Sequence, residues 1–459
     1  MSKLQIINPA NNQIIEELTA DTADSVRNKF NKAKAAQKKW ANVRLDKRSE
    51  ILHKFRELIL KKKDKLAVTL TSEVGKPITQ SFNELNGLLA RLDFFHDNVE
   101  KVTADEVVLN DNSQKLLEKI SHEPLGVIGN ISAWNYPYFV GSNVFVPALL
   151  TGNAVLYKPS EFATLTGLAI SDLLHEAGVP EDVFIPLIGE GSVGAALLEQ
   201  PLNGIFFTGS YPTGKRIAEA AAKQLMKVQL ELGGKDPVYV HHDVDVNTVA
   251  AAVADGAFYN NGQSCCAVER VYVHHSIYDA FVDAFVNTVA NFVTGEPMDE
   301  KTYIGPLTRK DLQISALEKQ IEDALKKGAK LLLGGKRVDR KGSYFEPTVF
   351  INVNHSMEIM KEESFGPIIG IQKVNDENEA IELMNDTEYG LTGSVYSNDK
   401  NKAIEILSQL NTGTVYWNCC DRISPRLPWS GRGHSGIGST LSTYGIQAFV
   451  QPKAWHLKG

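Results

Sequence analysis

The chain has 459 residues, more than one hydrophobic core usually supports, so at least two domains are expected. Hydrophobic residues make up 43% and charged residues 22% of the chain, a balance that excludes a disordered protein. The net charge of -7 and the placement of the lysine clusters in helical patterns argue against nucleic acid as a partner.

The beginning of the chain has no long apolar segment followed by a small-residue cleavage site. No later run approaches the roughly 18 apolar residues of a membrane span. The cysteines form two adjacent pairs, a poor framework for disulfides between distant elements: Cys265, Cys266, Cys419 and Cys420. We therefore expect free thiols, no membrane contact, no metal site and a cytoplasmic location.

The first hundred residues predict long amphipathic helices. Apolar residues recur at spacings of three and four over segments 23–40, 46–71 and 77–99. A polar stretch at 110–113 then separates two short apolar segments, which predicts a β-hairpin over about 102–121.

Short apolar runs alternate with helical patterns over the rest of the chain. The first series of predicted strands is 125–131, 154–157, 183–188 and 205–207. A second series begins near Val238 and includes the predicted strands 270–273, 331–333 and 414–417, and the helices 278–293 and 377–385. This order predicts an α/β fold with two Rossmann-like parallel-sheet domains.

Two glycine-rich segments resemble phosphate-binding loops. Residues 189–194 fit the Gly-x-Gly-x-x-Gly pattern, but the next predicted strand ends in Thr208-Gly209-Ser210, without the carboxylate that this pattern usually requires. Residues 209–216 resemble a Walker loop, except that Arg216 replaces the Ser or Thr that binds magnesium. ATP hydrolysis is therefore not expected. The turn at 209–210 is either a metal-free phosphate seat at a helix N-terminus or a plain connection.

The strand 154–157 is followed by Lys158-Pro159-Ser160-Glu161, which places two charged residues at the carboxyl edge of the predicted sheet, where ligands bind. Glu161 near a ribose 2′-hydroxyl favours NAD over NADP, because it repels the extra phosphate of NADP. Lys158 partly offsets this repulsion, so NADP stays possible.

Four further positions carry reactive chemistry. Cys265, in Gly262-Gln263-Ser264-Cys265, is either a nucleophile suited to attack on a carbonyl or a buried small hydrophobe. Glu231 follows an alternating strand and precedes two glycines, which suits a general base. Asn135 lies at a strand-to-helix turn, where its amide either caps the helix or donates to an oxyanion. Glu363, beside Phe365, is either a loop salt-bridge partner or an acceptor for a sugar hydroxyl.

Together these segments resemble the NAD(P)-dependent aldehyde dehydrogenase superfamily over nearly the whole chain. Six motifs of that family occur in the family's order: Trp134-Asn135, Lys158-Pro159-Ser160-Glu161, Phe207-Thr208-Gly209-Ser210, Glu231-Leu232-Gly233-Gly234-Lys235, Gly262-Gln263-Ser264-Cys265 and Glu363-Ser364-Phe365-Gly366-Pro367. The resemblance implies that Cys265 attacks an aldehyde and that Asn135 and the Cys265 backbone amide hold the oxyanion. It also implies that Glu231 activates the water that hydrolyses the thioester.

The resemblance further implies a cofactor cleft. Glu363 would hold the nicotinamide ribose with Phe365 near the ring, and Lys158 and Glu161 would take the adenine ribose. The remaining implied cofactor contacts are Ser210 at the pyrophosphate, and Trp134, Gly189 and Gly233 along the cleft.

The implied domain organisation has an NAD-binding domain at 1–101 and 122–234 and a catalytic domain at 235–441. Segments 102–121 and 442–459 would be oligomerisation strands, which pair across subunits and cover sheet edges. We therefore expect a homodimer or a homotetramer.

Substrate choice in this family depends on an aldehyde tunnel, here predicted to be lined by mostly apolar and aromatic residues: Tyr136, Phe139, Val140, Asn143, Ser264, Cys266, Ile423 and Trp429. This lining predicts an aromatic or medium-chain aliphatic aldehyde. The alternative is a semialdehyde carrying a carboxylate, such as succinate semialdehyde, bound by Arg422 and Arg426, although we expect both arginines to be exposed.

Three other functions are alternatives to oxidation of an aldehyde to an acid. A relative that acylates coenzyme A does not need the hydrolytic acid, so Glu231 argues against it. A non-catalytic member tolerates loss of Cys265, Asn135 or Glu231, and all three are present. A thiol hydrolase needs a histidine paired with Cys265, and nothing in the sequence locates one.

Overall fold

The computed structural model describes residues 2–459. The helices of this part of the chain are α1 (Ala23–Ala41), α2 (Leu45–Lys61), α3 (Lys63–Val74), α4 (Ile78–Thr103), α5 (Pro137–Leu150), α6 (Thr164–Ala177), α7 (Gly191–Leu198), α8 (Tyr211–Ala222), α9 (Val246–Phe258), α10 (Tyr278–Ala290), α11 (Lys310–Lys326), α12 (Glu377–Asn385), α13 (Lys400–Leu407) and α14 (Ser442–Gln447). The strands are β1 (Lys3–Ile7), β2 (Ile14–Thr19), β3 (Glu106–Asp111), β4 (Leu116–Pro124), β5 (Val127–Ile131), β6 (Ala154–Lys158), β7 (Phe184–Pro186), β8 (Gly204–Thr208), β9 (Lys227–Glu231), β10 (Asp236–Val240), β11 (Val268–His274), β12 (Lys330–Leu333), β13 (Thr348–Ile351), β14 (Ile368–Val374), β15 (Thr392–Tyr396), β16 (Thr414–Trp417), β17 (Gly436–Ile437) and β18 (Val450–Lys458).

The first large sheet has six strands in the order β17-β9-β8-β5-β6-β7. All neighbouring strands are parallel except β17, which runs antiparallel to β9. From β5 the chain moves outward to β6 and β7, and then returns to place β8 and β9 on the other side of β5. The strand order therefore reverses at β5, and the carboxyl ends beside such a reversal are where open α/β sheets bind ligands.

The second large sheet has seven strands in the order β12-β13-β14-β11-β10-β15-β16, of which only β12 is antiparallel to its neighbour. Alternate residues of β10 enter different hydrophobic layers: Tyr239 packs on one face and Val238 and Val240 on the other. Strands buried on both faces are expected for a parallel sheet covered by helices. The predicted α/β class with two parallel-sheet units is confirmed.

A separate antiparallel sheet has the order β18-β4-β3. The hairpin predicted at 102–121 is present as β3 and β4, although residues 102–103 still belong to α4. The side chains of β3 are mostly exposed, and Val107 and Val108 are each 62% exposed. A role of this sheet in assembly stays a prediction.

Several predicted boundaries differ from the observed ones. The helix expected at 46–71 is two helices, because Lys62 between them has a non-helical backbone (φ −108°, ψ 14°). The segment 442–459, expected to be strands, begins with the short helix α14, and extended structure starts at β18. Within residues 2–459, no helix is both long and apolar enough to cross a membrane.

Strand β17 lies inside the segment 235–441 that was assigned to the catalytic domain, yet it pairs with β9 of the six-stranded sheet. Gly436 pairs with Glu231 and Ile437 with Leu230. The chain thus returns to the first sheet near residue 436, and this return brings the following residues to Glu231.

Candidate active site

The segment that carries Cys265 is a tight turn after α9. Asn260 and Asn261 have φ angles of 53° and 58°, a region that asparagine tolerates better than most residues. Gly262 has a φ of 68°, and a Cβ atom there would lie 2.4 Å from the carbonyl oxygen of Gly366. The glycine is therefore required for both its backbone conformation and the close approach of another loop.

Buried amide side chains hold this turn in place. Asn261 Nδ2 donates to the Gly305 carbonyl at 2.7 Å, and Asn261 Oδ1 accepts from the Gly305 amide at 2.9 Å. Gln263 Oε1 accepts from the Thr308 amide at 3.1 Å. Cys265, which is partly exposed, is thus placed on a backbone that is anchored on both sides.

Asn135 lies against the cysteine segment and does not cap α5. The residue preceding α5 is Tyr136, and no side chain caps this helix. The buried Asn135 Nδ2 donates to the Gln263 carbonyl at 3.1 Å, and the Asn135 carbonyl accepts from Asn260 Nδ2 at 3.3 Å. Of the two interpretations left open by the sequence, helix capping is wrong.

Glu231 is the last residue of β9, whereas the sequence had placed it just after a strand. Its Oε1 accepts from Gln229 Nε2 at 2.9 Å and from Thr440 Oγ1 at 3.1 Å. Its buried Oε2 has no hydrogen-bond partner among residues 2–459. Burial raises the pKa of Glu231 well above its ordinary value. A Cβ atom on Gly234 would lie 2.5 Å from the Cys265 carbonyl oxygen, so the segment after Glu231 touches the backbone of Cys265.

Glu363 also packs against the glycines that follow Glu231. Its Oε1 accepts from the Gly234 amide at 3.1 Å, and a Cβ atom on Gly233 would lie 2.3 Å from the same oxygen. No ion pair of Glu363 occurs in the described part of the chain, which argues against the salt-bridge interpretation. Burial and the nearby charge of Glu269 raise the pKa of Glu363 to about 8.

Two buried residues that the sequence interpretation missed support this loop. Glu269 accepts from the Ser364 amide at 2.9 Å and from the Phe365 amide at 2.9 Å. Lys235 Nζ lies 2.7 Å from Glu269 Oε2, and both side chains are buried. Phe365 is held at a φ of 48°, an unfavourable value for an aromatic residue. The available signal was two adjacent charged residues, Glu269 and Arg270, among the apolar residues of strand β11, because such residues are rarely buried unless paired.

The aromatic residues of the expected cofactor cleft meet at the end of β5. The rings of Trp134 and Phe365 are 5.5 Å apart and nearly perpendicular, at 81°. Phe162 contacts the other side of Trp134, with ring centroids 6.4 Å apart. Edge-to-face contacts of this kind fix ring orientation, so Trp134 and Phe365 form a rigid wall.

Lys158 is the last residue of β6, and Glu161 lies three residues beyond it, near the Lys158 side chain. Lys158 Nζ donates to the Pro159 carbonyl at 3.1 Å and lies 3.9 Å from Glu161 Oε2. Lys158 is buried, and burial lowers its pKa. An ammonium group has three N–H donors. The buried Lys158 ammonium therefore has donors left for a ligand. Hydroxyl groups of a ribose fit such a lysine and carboxylate pair, and the residues present are compatible with a dinucleotide.

The two glycine-containing turns lie at helix starts. Gly189, with a φ of 145°, precedes α7, and a Cβ atom on Gly194 in α7 would lie 3.7 Å from the Lys158 side chain. Ser210 immediately precedes α8 and makes no side-chain bond to the α8 backbone; its Oγ donates to Thr213 Oγ1 at 3.2 Å. The free amides at the start of α8 therefore follow β8, beside the reversal of the strand order.

The predicted tunnel residues Tyr136 and Phe139 are stacked, with ring centroids 5.7 Å apart and ring planes 4° apart. The sequence predicted an apolar lining, but each ring also carries a buried cation on one face. Lys76 Nζ lies 3.6 Å from the centroid of Tyr136, and Arg91 Cζ lies 3.7 Å from the centroid of Phe139. The predicted tunnel lining is therefore not purely apolar, because two buried cations contact its aromatic rings.

Cys266, the residue after Cys265, has different hydrogen-bond partners. Cys266 is buried and donates from Sγ to Asp421 Oδ1 at 2.9 Å, and Ser264 Oγ lies 3.4 Å from the same oxygen. Burial raises the pKa of Asp421 to about 6 and also contributes to a raised pKa of Cys266. Ile423 is partly buried and packs against the same core cluster as Cys265.

The other predicted tunnel residues have simpler surroundings. Trp429 is buried, and its backbone amide donates to the Thr440 carbonyl at 2.8 Å, which ties it to the segment that reaches Glu231. Arg422 and Arg426 are both exposed, as expected, and the Arg422 side chain is 69% exposed.

Comparisons with known proteins find relatives along nearly the whole chain. The model of the aldehyde dehydrogenase family matches residues 1–455. The chain is 34% identical to a chloroplastic betaine aldehyde dehydrogenase of Amaranthus hypochondriacus, covering 98% of this chain and 92% of the relative. It is also 34% identical to a 3,6-anhydro-alpha-L-galactose dehydrogenase of a Vibrio species, covering 99% and 95%.

Solved structures of known proteins share the fold of this chain. An NAD-dependent aldehyde dehydrogenase from Sinorhizobium meliloti superimposes with a TM-score of 0.96 at 31% identity, covering 100% of this chain and 92% of that one. The fold and the site define an α/β oxidoreductase of the dinucleotide-dependent class. The chain belongs to the aldehyde dehydrogenase family, whose members are oxidoreductases that act on aldehydes with NAD(P).

Proposed function

We propose that the protein oxidises an aldehyde to the carboxylic acid with NAD(P)⁺, with Cys265 as the nucleophile. The observation that carries this proposal is the convergence of three groups on one short segment. The Asn135 amide donates to the Gln263 carbonyl, and Gly234, three residues after Glu231, touches the Cys265 backbone. A thiol, an amide donor and a carboxylate are the groups that thiol-based aldehyde oxidation and thioester hydrolysis need.

In the first step, the Cys265 thiolate adds to the aldehyde carbon and forms a thiohemiacetal. The Asn135 side-chain amide and the Cys265 backbone amide stabilise the oxygen that becomes negative. Bound NAD(P)⁺ would supply the hydride acceptor. Loss of hydride from the thiohemiacetal carbon leaves a thioester on Cys265.

Glu231 then serves as the general base that deprotonates the water attacking the thioester, which releases the acid. Burial raises the pKa of Glu231, and only its ionised form accepts a proton from water, so hydrolysis becomes faster as the pH rises. Hydrolysis at this position favours acid formation over transfer of the acyl group to coenzyme A.

The cofactor contacts follow the same geometry. We assign the nicotinamide ribose to Glu363, the adenine ribose to Lys158 and Glu161, and the pyrophosphate to the start of α8 at Ser210. The walls of the cleft are Trp134, Gly189, Gly233 and Phe365. The acceptor at Glu161 supports NAD as the preferred cofactor, while Lys158 leaves NADP possible.

Two classes of aldehyde are candidate substrates. The stacked rings of Tyr136 and Phe139 support the aromatic or medium-chain aliphatic aldehyde expected from the sequence. The second class is a semialdehyde with a carboxylate. A single observation favours it: the buried guanidinium of Arg91 lies on the ring of Phe139.

We further propose residues 1–101 and 122–234 as the NAD-binding domain, 235–441 as the catalytic domain, and 102–121 and 442–459 as oligomerisation segments of a homodimer or homotetramer. A cytoplasmic location also stays a prediction.

Product analysis of variants in which one cysteine is replaced tests this function. Cys265→Ala should abolish NADH formation and leave cofactor binding intact, whereas Cys419→Ala, a partly exposed thiol in a nearby loop, should keep wild-type turnover. The wild type should yield the free acid both with and without coenzyme A. Turnover by Cys265→Ala would remove the nucleophile assignment, and formation of an acyl coenzyme A thioester would remove acid formation.

A further inference from the structure

Arg91 is a buried cation with unused hydrogen-bond donors. It lies on α4 and is 3% exposed. Its Nε donates to Asn143 Oδ1 at 3.1 Å and its Nη1 to the Gly87 carbonyl at 3.0 Å. Its Nη2 has no acceptor within residues 2–459. A guanidinium has five N–H donors, so this group keeps an open side.

No carboxylate in the described chain forms an ion pair with Arg91. The nearby acid, Glu84, is already engaged on both oxygens. Its Oε1 accepts from the Tyr138 amide at 2.8 Å, and its Oε2 pairs with Lys76 Nζ, in an ion pair whose two side chains are fully buried. Burying a charge without a partner is costly, so Arg91 lacks the anion that its surroundings call for.

Arg91 cannot escape this cost by losing its proton. Burial lowers its pKa only to about 10, so the guanidinium is charged at neutral pH. Asp421, a partly buried acid near Cys266, differs from Arg91 both in its pKa and in its hydrogen-bond partners. Its pKa is raised to about 6, near enough to neutrality for partial protonation, and it accepts from Cys266 and Ser264.

The position of Arg91 connects it to the proposed tunnel. Its guanidinium lies on Phe139, which is stacked on Tyr136, the residue after Asn135. It is also close enough to Cys266, the residue after the nucleophile, for a charge there to raise its pKa. Because these two rings belong to the predicted tunnel lining, Arg91 is a charged group in contact with that lining.

A second donor points to the same kind of ligand. Asn143, on α5, is buried and accepts from Arg91 through Oδ1, while its Nδ2 donates to no acceptor within residues 2–459. Two neighbouring buried groups thus both offer N–H donors and no acceptor. A carboxylate matches this pair, because its two oxygens accept in one plane and its charge balances the guanidinium.

We propose that Arg91 and Asn143 bind the terminal carboxylate of a short ω-carboxyaldehyde, which makes Arg91 the residue that selects this substrate class. The assignment rests on the proposed function, since it assumes that the aldehyde reacts at Cys265. It differs from the sequence expectation for a semialdehyde, which relied on Arg422 and Arg426, both of which are exposed.

Three aldehydes of equal chain length test this inference, ending in a carboxylate, a methyl group or a trimethylammonium group. For the wild type, kcat/KM should be highest with the carboxylate. Arg91→Met should lower kcat/KM for the carboxylate aldehyde by about 100-fold and change that for the methyl aldehyde by less than about threefold. Arg422→Met, the matched control at an exposed arginine, should change neither value.

The wild-type comparison and Asn143→Ala keep the test decisive if Arg91→Met does not fold. Asn143→Ala should lower kcat/KM for the carboxylate aldehyde by about tenfold and spare the methyl aldehyde. Wild-type preference for the methyl or trimethylammonium aldehyde would overturn the inference, as would an equal loss for all three in Arg91→Met, which is the result of a purely structural contact with Phe139. Turnover of none of the three would instead overturn the proposed function, and the inference with it.

Discussion

Adjacent thiols at 265 and 266 are given different surroundings by their neighbours. Cys266 is buried and donates to Asp421, whereas Cys265 is partly exposed beside the segment that Asn135 and Gly234 contact. A thiol that already donates to a buried carboxylate is a poor nucleophile, since that carboxylate disfavours the thiolate. The contacts therefore support Cys265, and not Cys266, as the attacking residue.

Glu231→Gln should slow thioester hydrolysis more than hydride transfer, because glutamine keeps the shape of the side chain but cannot accept the proton of water. A rapid burst of NADH followed by a slow steady state is expected in stopped-flow measurements. In the wild type, the steady-state rate should rise with pH, since the base works only when ionised and its pKa is raised. This rise should be absent in Glu231→Gln.

Thr440→Val is the matched variant for this pH dependence. The Thr440 hydrogen bond lowers the pKa of Glu231, so its loss should move the pH profile further toward high pH while leaving the NADH burst in place. An unchanged steady-state rate in Glu231→Gln would contradict the assignment of Glu231 as the general base.

Glu269→Gln should weaken cofactor binding, because Glu269 holds the backbone of Ser364 and Phe365 beside Glu363. It also leaves the buried Lys235 ammonium without its partner, a loss that costs about 3 to 5 kcal/mol of stability. We expect a raised Kd for NAD in calorimetry and a lower Tm. The exposed neighbour Glu362, changed to Gln, should alter neither; equal effects of the two variants would contradict this role for Glu269.

At the scale of elements, helix α6 begins against a carboxylate from a different helix. Glu73 of α3 accepts from the amides of Leu165 at 2.9 Å and Thr166 at 2.6 Å. No side chain from within the segment itself caps α6. The start of α6 thus depends on packing between α3 and α6, which local sequence patterns do not reveal.

Glu73 should make stability depend on pH. Burial raises its pKa from 4.5 to about 7, so the folded state holds this proton more tightly than the unfolded chain. The stabilisation is fully present below pH 4.5 and is lost as the pH rises toward 7, by about 3 kcal/mol. Thermal scans of Glu73→Gln between these pH values should be flatter than those of the wild type. Glu57→Gln, at an exposed position of α2, should retain the wild-type slope; a retained slope in Glu73→Gln would contradict this origin.

Elements with strong periodicity were predictable, and those without it were not. The helix α12 and the strand β16 match their predicted ranges, because each has a clear apolar pattern and polar flanks. The two-residue strand β17 was missed because its pairing with β9 depends on where the chain returns, not on its own residues. The same return delivers Thr440 to Glu231, so this part of the site was also not predictable.

For the molecule as a whole, the three-stranded sheet is the surface most suited to assembly. Val107 and Val108 on β3 are exposed side chains on an edge strand, which is a template for pairing with another chain. Val108→Lys should lower the mass of the assembly in light scattering and leave the far-UV circular dichroism unchanged. Leu312→Lys, at an equally exposed apolar position of α11, should keep the wild-type mass. An unchanged mass in both variants would rule out β3 as the contact.

The sequence by itself determined the α/β class, the family and the residues from which the site is built, because each of these depends on short motifs and on the alternation of apolar runs. Only the tertiary structure decided what surrounds those residues. Glu231 meets Thr440 across 209 positions of the chain, Asn135 meets Gln263 across 128, and Arg91 meets Asn143 across 52. Pairings over such separations are set by how helices and sheets pack. The same packing places the buried cations Lys76 and Arg91 on the rings of Tyr136 and Phe139.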